Sequence, residues 1–173
     1  PLVVSSLLGV LLMLTAKIIS IRESFRAVDK NLLLIVVTSL ALGNLISTTG
    51  TAQFISDIFF NVLKDTSPII LLSTFFILVS LLTNFISNNA CAVLFTPIGL
   101  DLAEKAGIDP KLFAISIIFA VNTSFLTPMA YQTNLLVMGP GHYKFVDFIR
   151  FGLPLTLICW LTFTLFFPLY YNL

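Results

Sequence analysis

Residues 66–100 run without a single charged side chain, and no other feature limits the fold of this chain so tightly. Drawn out as one straight helix, about 35 residues would reach about 52 Å, far beyond a hydrocarbon core of about 30 Å. Two complete spans and a turn would need about 40 residues or more. In the middle sit Thr83-Asn84 and Ser87-Asn88-Asn89, polar groups that lipid cannot satisfy. Irregular backbone at membrane depth survives only where protein or a wet cavity covers it. A re-entrant hairpin answers all three constraints. It predicts half-helices over 69–82 and 90–104 that meet at a polar tip and leave on the side they entered.

The remaining composition agrees with a membrane setting. Apolar residues make up 58% of the chain and charged ones 10%, with a mean hydropathy of +1.05. A soluble domain carries about a quarter charged residues to cover its surface. Residues 31–56 and 151–173 are also charge-free, and 112–143 offers only His142 and tyrosines as titratable groups. Ionised groups cost at least about 2–3 kcal/mol at the bilayer centre, so spanning helices require such runs. The net charge of +1 gives no reason to expect a nucleic-acid partner. Cys91 and Cys159 lie in apolar runs and read as small buried hydrophobes, with no disulfide framework implied. The chain starts at Pro1, and residues 2–19 lack the basic start and small-residue cleavage site of a signal peptide. The expectation is the C-terminal portion of a longer protein, with a natural end at Tyr171-Asn172-Leu173.

Read along its length, the chain is expected to be an all-α polytopic membrane protein. A first span covers 2–20. Lys17, Arg22, Arg26 and Lys30 then gather around Glu23 and Asp29 in a short arm, which places that arm in the cytoplasm. A second span follows over 31–47. Residues 51–64 put Phe54, Ile55, Ile58, Phe59 and Val62 on one helical face, the pattern of a helix lying in the interface plane. After the hairpin, Asp101, Glu104, Lys105, Asp109 and Lys111 read as a solvated loop. A further span starts at Leu112 and is interrupted by Asn122-Thr123-Ser124, Thr127-Pro128 and Gln132-Thr133-Asn134. Proline removes a backbone donor and disfavours helix at the residue before it, so this helix is expected to break. It resumes near Asn134 and stops at Gly139-Pro140-Gly141, with His142 on the surface. Lys144, Asp147 and Arg150 mark a last loop before the final span. Counting crossings leaves six basic residues inside (Lys17, Arg22, Arg26, Lys30, Lys144, Arg150) and three outside (Lys64, Lys105, Lys111), in line with the positive-inside rule. The expected domains are 1–48, two scaffold-type helices joined by the basic arm, then 49–67, an interfacial helix, and 68–173, a transport-type region. That region divides into a hairpin at 68–105, a broken helix at 110–140 and a last span at 149–171.

Two helix breaks at membrane depth suggest ion and substrate binding. The positive end of a half-helix faces an anion, and freed carbonyls at a half-helix C-terminus coordinate a small cation. The half-helix beginning near Ala90 would aim its first amides at the tip, with Asn88 or Asn89 as cap. The backbone of 83–86 would supply carbonyls, with the hydroxyl of Thr83 or Ser87 as a further oxygen ligand. Any one of these residues taken alone could equally bond a neighbouring helix. The Phe75-Phe76 and Phe166-Phe167 pairs read as lipid or core packing.

The run Thr83-Asn84-Phe85-Ile86-Ser87-Asn88-Asn89-Ala90 resembles the Ser-Asn-Thr hairpin signature of the divalent anion/sodium symporter family. Residues 122–134 are similar to that family's second unwound loop, and 139–154 to the approach to its last crossing. The resemblance implies the C-terminal half of an inverted-repeat transporter with a re-entrant hairpin and a discontinuous transmembrane helix. It implies a Na+ site at Thr83, Ile86, Asn88 and Ala130, and substrate contacts from Ser87, Asn88, Asn89, Gln132 and Thr133. In two places the chain departs from the pattern. The third signature residue is Asn89 rather than threonine, and a Pro-Pro pair of dicarboxylate carriers is Gln132-Thr133 here. Both lie on the substrate side, and in this loop the chain is closer to members with large cytoplasmic regulatory domains, some linked to sulfate.

The expected function is sodium-coupled symport of a divalent anion, sulfate or a di- or tricarboxylate, by alternating access in the plasma (inner) membrane. Na+ is the co-transported ion. Expected partners are the small anionic substrate, membrane lipid, a second copy in a homodimer, and the N-terminal repeat that would enclose the substrate. An arsenite or sodium/proton antiporter of the same superfamily would need a titratable intramembrane group, and 66–100 has none. A non-transporting membrane subunit is the plainer alternative. An intramembrane enzyme would need a nucleophile with a base or a metal-ligand set. His142 has no such partner and Ser87 no base, so no catalytic residue is expected.

Overall fold

The computed structural model describes residues 2–27 and 30–171, and in these the secondary structure is entirely helical. Asp29 of the basic arm and Asn172-Leu173 at the end lie outside the described residues. The chain divides into two units, Pro1–Val37 and Thr38–Leu173.

In the first unit, α1 (Leu2–Thr15) is followed by the short α2 (Ile21–Ala27). The expected first span over 2–20 is shorter than its hydropathy implied, because α1 stops at a built-in cap. Lys17 takes a left-handed backbone (φ 54), its amide bonds to Leu14 O at 3.1 Å, and the Ile18 amide bonds to Met13 O at 3.0 Å. This is a Schellman closure with lysine where glycine is usual, its charge beside the negative helix end. At the start of α2, the Ser20 amide and hydroxyl both donate to Glu23 Oε2, at 2.8 and 2.7 Å, while the Glu23 amide donates back to Ser20 Oγ at 3.2 Å. That reciprocal capping box holds the Glu23 carboxyl below its ordinary range through the Ser20 bonds.

The unit boundary falls within α3 (Lys30–Thr48), and the second unit continues with α4 (Thr51–Leu63) and α5 (Pro68–Leu82). Then come α6 (Asn88–Ala106), α7 (Pro110–Val121), α8 (Gln132–Met138) and α9 (Phe145–Tyr171). Both predicted breaks are present, at 83–87 and 122–131. Proline starts α5 and α7 at the first helical turn, where its missing amide costs nothing. Among the described residues one helix, Phe145–Tyr171, is long and apolar enough to cross a membrane by length and composition. α5 and α7, at 15 and 12 residues, reach only about 22 and 18 Å.

α5 is the centre of the unit, buried on nearly all sides through Leu71, Leu72, Phe75, Phe76 and Val79. Phe75 meets Phe59, Phe95 and Phe113 edge-on at 5.9, 6.1 and 5.3 Å, joining α5 to α4, α6 and α7. Phe76 stacks on Phe163 of α9 at 4.4 Å, and Phe163 on Phe167 at 4.4 Å. Ser73 completes the α5–α9 contact, exchanging a hydrogen bond with the Thr164 hydroxyl at 2.7 Å and accepting one from Trp160 Nε1 at 2.9 Å. On the other side of α9 the apolar side chains face outward: Phe151, Leu165, Phe166 and Leu169 are exposed. Such a stripe suits lipid and would be a liability in water.

Three expectations change on packing grounds. The apolar face of α4 is divided between protein and the outside. Ala52, Ile55, Ser56 and Phe59 turn inward, whereas Phe54, Ile58 and Val62 point out at 53–77% exposure. Asp101 and Lys105 are not a solvated loop face, since they belong to α6 and fasten it to α4. Lys105 Nζ lies 2.6 Å from Asp57 and 2.5 Å from Asp101, and donates to Ser56 Oγ at 2.7 Å, while Ser56 in turn donates to Asp101. Lastly, α9 begins at Phe145, so the loop residues Asp147 and Arg150 are helical; Asp147 accepts from the Lys144 amide at 2.7 Å and caps the first turn. A Lys105→Met variant is expected to lose about 1 kcal/mol, the scale of part-exposed ion pairs. Hydrogen exchange should then rise in α4 while α5 stays protected.

Candidate functional site

The tip begins where α5 unwinds. The amides of Thr83, Asn84, Phe85 and Ile86 still bond back to Val79, Leu81 and Leu82, so the chain leaves the helix in tight turns. Ser87 then extends (φ −58, ψ 146) and its hydroxyl accepts from the Ala90 amide at 3.3 Å. Ser87 is therefore the N-cap of α6, not Asn88 or Asn89. Its short side chain reaches the free amide one turn ahead, and the helix starts at Asn88, two residues before the expected Ala90.

Across the tip, the Thr83 hydroxyl donates to Asn88 Oδ1 at 2.9 Å and lies 3.3 Å from Val121 O, at the C-terminal end of α7. Asn88 Nδ2 donates to Ser124 Oγ at 3.2 Å, in the second break. Thr83 is completely buried and Asn88 half-buried. The two breaks thus face each other through neutral side chains. Asn134 holds the far side of the loop, donating to Ser124 O at 3.0 Å and Thr127 O at 3.3 Å.

The structure sorts the residues expected at the site into two sets. Thr83 and Asn88 are in direct contact, and Ala130 is buried in the facing loop, its amide bonded to Thr127 O at 3.4 Å. Ile86 is exposed at the rim, with its amide turned back to Leu82. Ser87 and Asn89 are exposed at the start of α6, and Gln132 and Thr133 at the first turn of α8. The second helix resumes at Gln132 rather than near Asn134, because Tyr131 takes the extended conformation that precedes a helix. Among the described residues no hydrogen bond joins Asn89, Gln132 or Thr133 to the Thr83–Asn88 pair. His142 is exposed with a left-handed backbone (φ 54); its amide bonds to Gly139 O and that of Tyr143 to Met138 O, which closes α8.

Residues outside the expected site form most of the bridge. Asn84 is buried, with Nδ2 donating to Ser80 O at 2.7 Å and Thr123 O at 3.4 Å, and Oδ1 accepting from the Leu126 amide at 2.8 Å. Thr127 Oγ1 donates to Asn84 O at 2.6 Å, and the Ser80 and Thr123 hydroxyls are bonded to each other. The available signal was the polar run itself, in which Asn84 stands next to Thr83; its partners across the second break left no mark in the local pattern. An apolar cavity of about 610 Å³ lies along α9, lined by Phe76, Phe125, Phe163, Phe166 and Phe167. It shares Thr123 with the bridge, but its aromatic walls do not suit a divalent anion.

A chain whose secondary structure is helical throughout the described residues, with an apolar exterior and most of its buried polar residues at or beside two helix breaks, has the build of an integral membrane transporter. The comparison with known proteins is specific. Residues 1–173 match the family described as citrate transporter, and the chain belongs to that family. An uncharacterized transporter of Synechocystis is 34% identical over 91% of this chain and 26% of its own length. A sodium/sulfate cotransporter of Chlamydomonas reinhardtii is 32% identical over 46% of this chain and 9% of its own length. A sodium-dependent low-affinity dicarboxylate transporter of Caenorhabditis elegans is 37% identical over 45% of this chain and 13% of its own length. The chain spans about a quarter of the length of the curated relatives first matched. The family and the three relatives named above are transporters rather than enzymes, and the resemblance to the divalent anion/sodium symporters agrees with them.

Proposed function

We propose that the protein carrying this chain is a secondary active transporter that couples Na+ entry to symport of a divalent anion, sulfate or a di- or tricarboxylate, by alternating access. The observation that carries this reading is the contact of Thr83 with Asn88 and of Asn88 with Ser124, two helix breaks joined through part-buried neutral polar groups with no charged side chain between them. Thr83 Oγ1 and Asn88 Oδ1, with the carbonyl of Ile86 and that of Ala130, are the oxygens a Na+ ion would take. Each hydrogen bond made now would be exchanged for coordination. The anion would lie at the exposed rim, against Ser87, Asn88, Asn89, Gln132 and Thr133, where the first amides of α6 favour negative charge.

In this reading α5 and α6 form the re-entrant hairpin, α7 and α8 the discontinuous helix, and 1–48 the scaffold. The N-terminal repeat encloses the substrate from the other side. A homodimer, lipid around α9 and a plasma-membrane location complete the picture.

Uptake into vesicles by the full-length protein is expected to require a sodium gradient; equal uptake with choline in place of sodium removes the coupling. Asn88→Ala is expected to raise the sodium concentration for half-maximal uptake about tenfold, equivalent to about 1.4 kcal/mol. An unchanged value would remove Asn88 from the cation shell.

A further inference from the structure

We infer that Asn84 is a positioning residue that binds the two helix breaks into one body, so that the cation oxygens of the tip and of the facing loop keep register. This rests on the transport reading above and adds a residue that reading leaves out.

Where helices unwind, backbone amides and carbonyls lose their partners, and in a dry interior each must find another. The Asn84 side chain meets that need across both breaks at once. Its amide nitrogen donates to Ser80 O in its own helix and to Thr123 O in the loop, and its oxygen accepts from the Leu126 amide. Thr127 returns a bond to Asn84 O, so the same residue is held by side chain and backbone. Asn84 is 0% exposed, as is Thr83 beside it. Thr83 and Asn88 are flanked by this link, and Thr127 O accepts the amide of Ala130. Displacing the loop would therefore move Ala130 relative to Thr83 and Asn88.

The chemistry favours an amide over its isostere. Donor and acceptor are both used, toward two carbonyls and one N–H. An ionised aspartate could accept from Leu126 but would face the Ser80 and Thr123 carbonyls with no proton, and a neutral one has a single O–H for the two carbonyls. Alanine would leave all three groups unpaired.

The test uses the full-length protein in lipid nanodiscs and vesicles, with Asn84→Ala, Asn84→Asp and the milder, shape-conserving Thr127→Val. Ser73→Ala is the control, since it removes a buried cross-helix bond between α5 and α9 away from the breaks. Hydrogen exchange of 122–131 is expected to quicken at least tenfold in the two Asn84 variants and about threefold in Thr127→Val, with α5 still protected. Ser73→Ala should leave 122–131 unchanged. Half-saturating sodium for uptake is expected to rise at least fivefold in Thr127→Val and in whichever Asn84 variants fold, with maximal uptake within threefold of the parent. Unchanged exchange in Thr127→Val overturns the inference even if both Asn84 variants fail to fold. Faster exchange with unchanged half-saturating sodium, in a parent that needs sodium, overturns the positioning role. A parent indifferent to sodium sinks the sodium coupling of the reading above, and exchange in 122–131 then decides by itself whether Asn84 joins the breaks.

Discussion

Phe75→Ala is expected to cost the fold about 3 kcal/mol, at the lower end of the range for a buried phenylalanine. The ring is 1% exposed and touches aromatic partners on three other helices, so no single neighbour can shift to fill the gap. The lower end applies because a lipid environment is itself apolar. The water-transfer part of the cost shrinks, while the lost packing around the cavity remains. Phe75 also lies below the polar tip on α5, without a hydrogen bond to it. Thermal unfolding of the full-length variant in detergent should show a clear drop, while half-saturating sodium for uptake stays within twofold of the parent. A sodium shift as large as that expected for Asn88→Ala would make the polar tip a mere part of general packing.

Gly152→Ala is the second large effect, and it tests the seat of the broken loop. A methyl group at this buried position of α9 would stand 2.2 Å from Phe125 O and 2.6 Å from Phe125 C, both backbone atoms of the second break. No flexible side chain can swing aside to relieve that approach, so either α9 or the loop must move. Overpacking of this kind costs about 1–3 kcal/mol, and a backbone obstacle puts it at the upper end. Because the same loop contains Ser124, Thr127 and Ala130, uptake is expected to fall at least tenfold along with the thermal midpoint. Gly9→Ala is the matched control: nothing lies within 4 Å of the added methyl, and alanine is the better helix former by about 1 kcal/mol. Full uptake in Gly152→Ala would mean that the loop does not need to lie against α9.

The two breaks were readable because their signals, the polar knots, are local. Pro68 and Pro110 at helix starts and Gly107 in the left-handed turn that closes α6 are local signals too, but Asp109, which caps α7, was read as loop. The Schellman end of α1 at Lys17 was not readable, since a lysine carries no sign that it will adopt positive φ. At α4 the limit was different. Period alone finds apolar residues, but it cannot say which of two apolar sides meets protein when the other can meet lipid. At the site, Thr83 and Asn88 stood out because they sit inside a recognisable signature. Asn84 and Gly152 did not, since their partners lie about 40 and about 27 residues away in sequence, beyond any helical period.

From the sequence alone come the membrane setting, the all-helical class, the two breaks and the family resemblance. The first three follow from composition and short-range pattern, because lipid excludes charge and forces backbone bonds to close within each helix; the resemblance rests on the signature run at 83–90. The tertiary structure decided which polar atoms meet across the breaks: Asn84 with Leu126, Asn88 with Ser124, and Lys105 of α6 with Asp57 of α4. Those pairings depend on the rotation and closest approach of packed helices. Both are set by the fit of side chains such as Phe75 and by the missing side chain of Gly152.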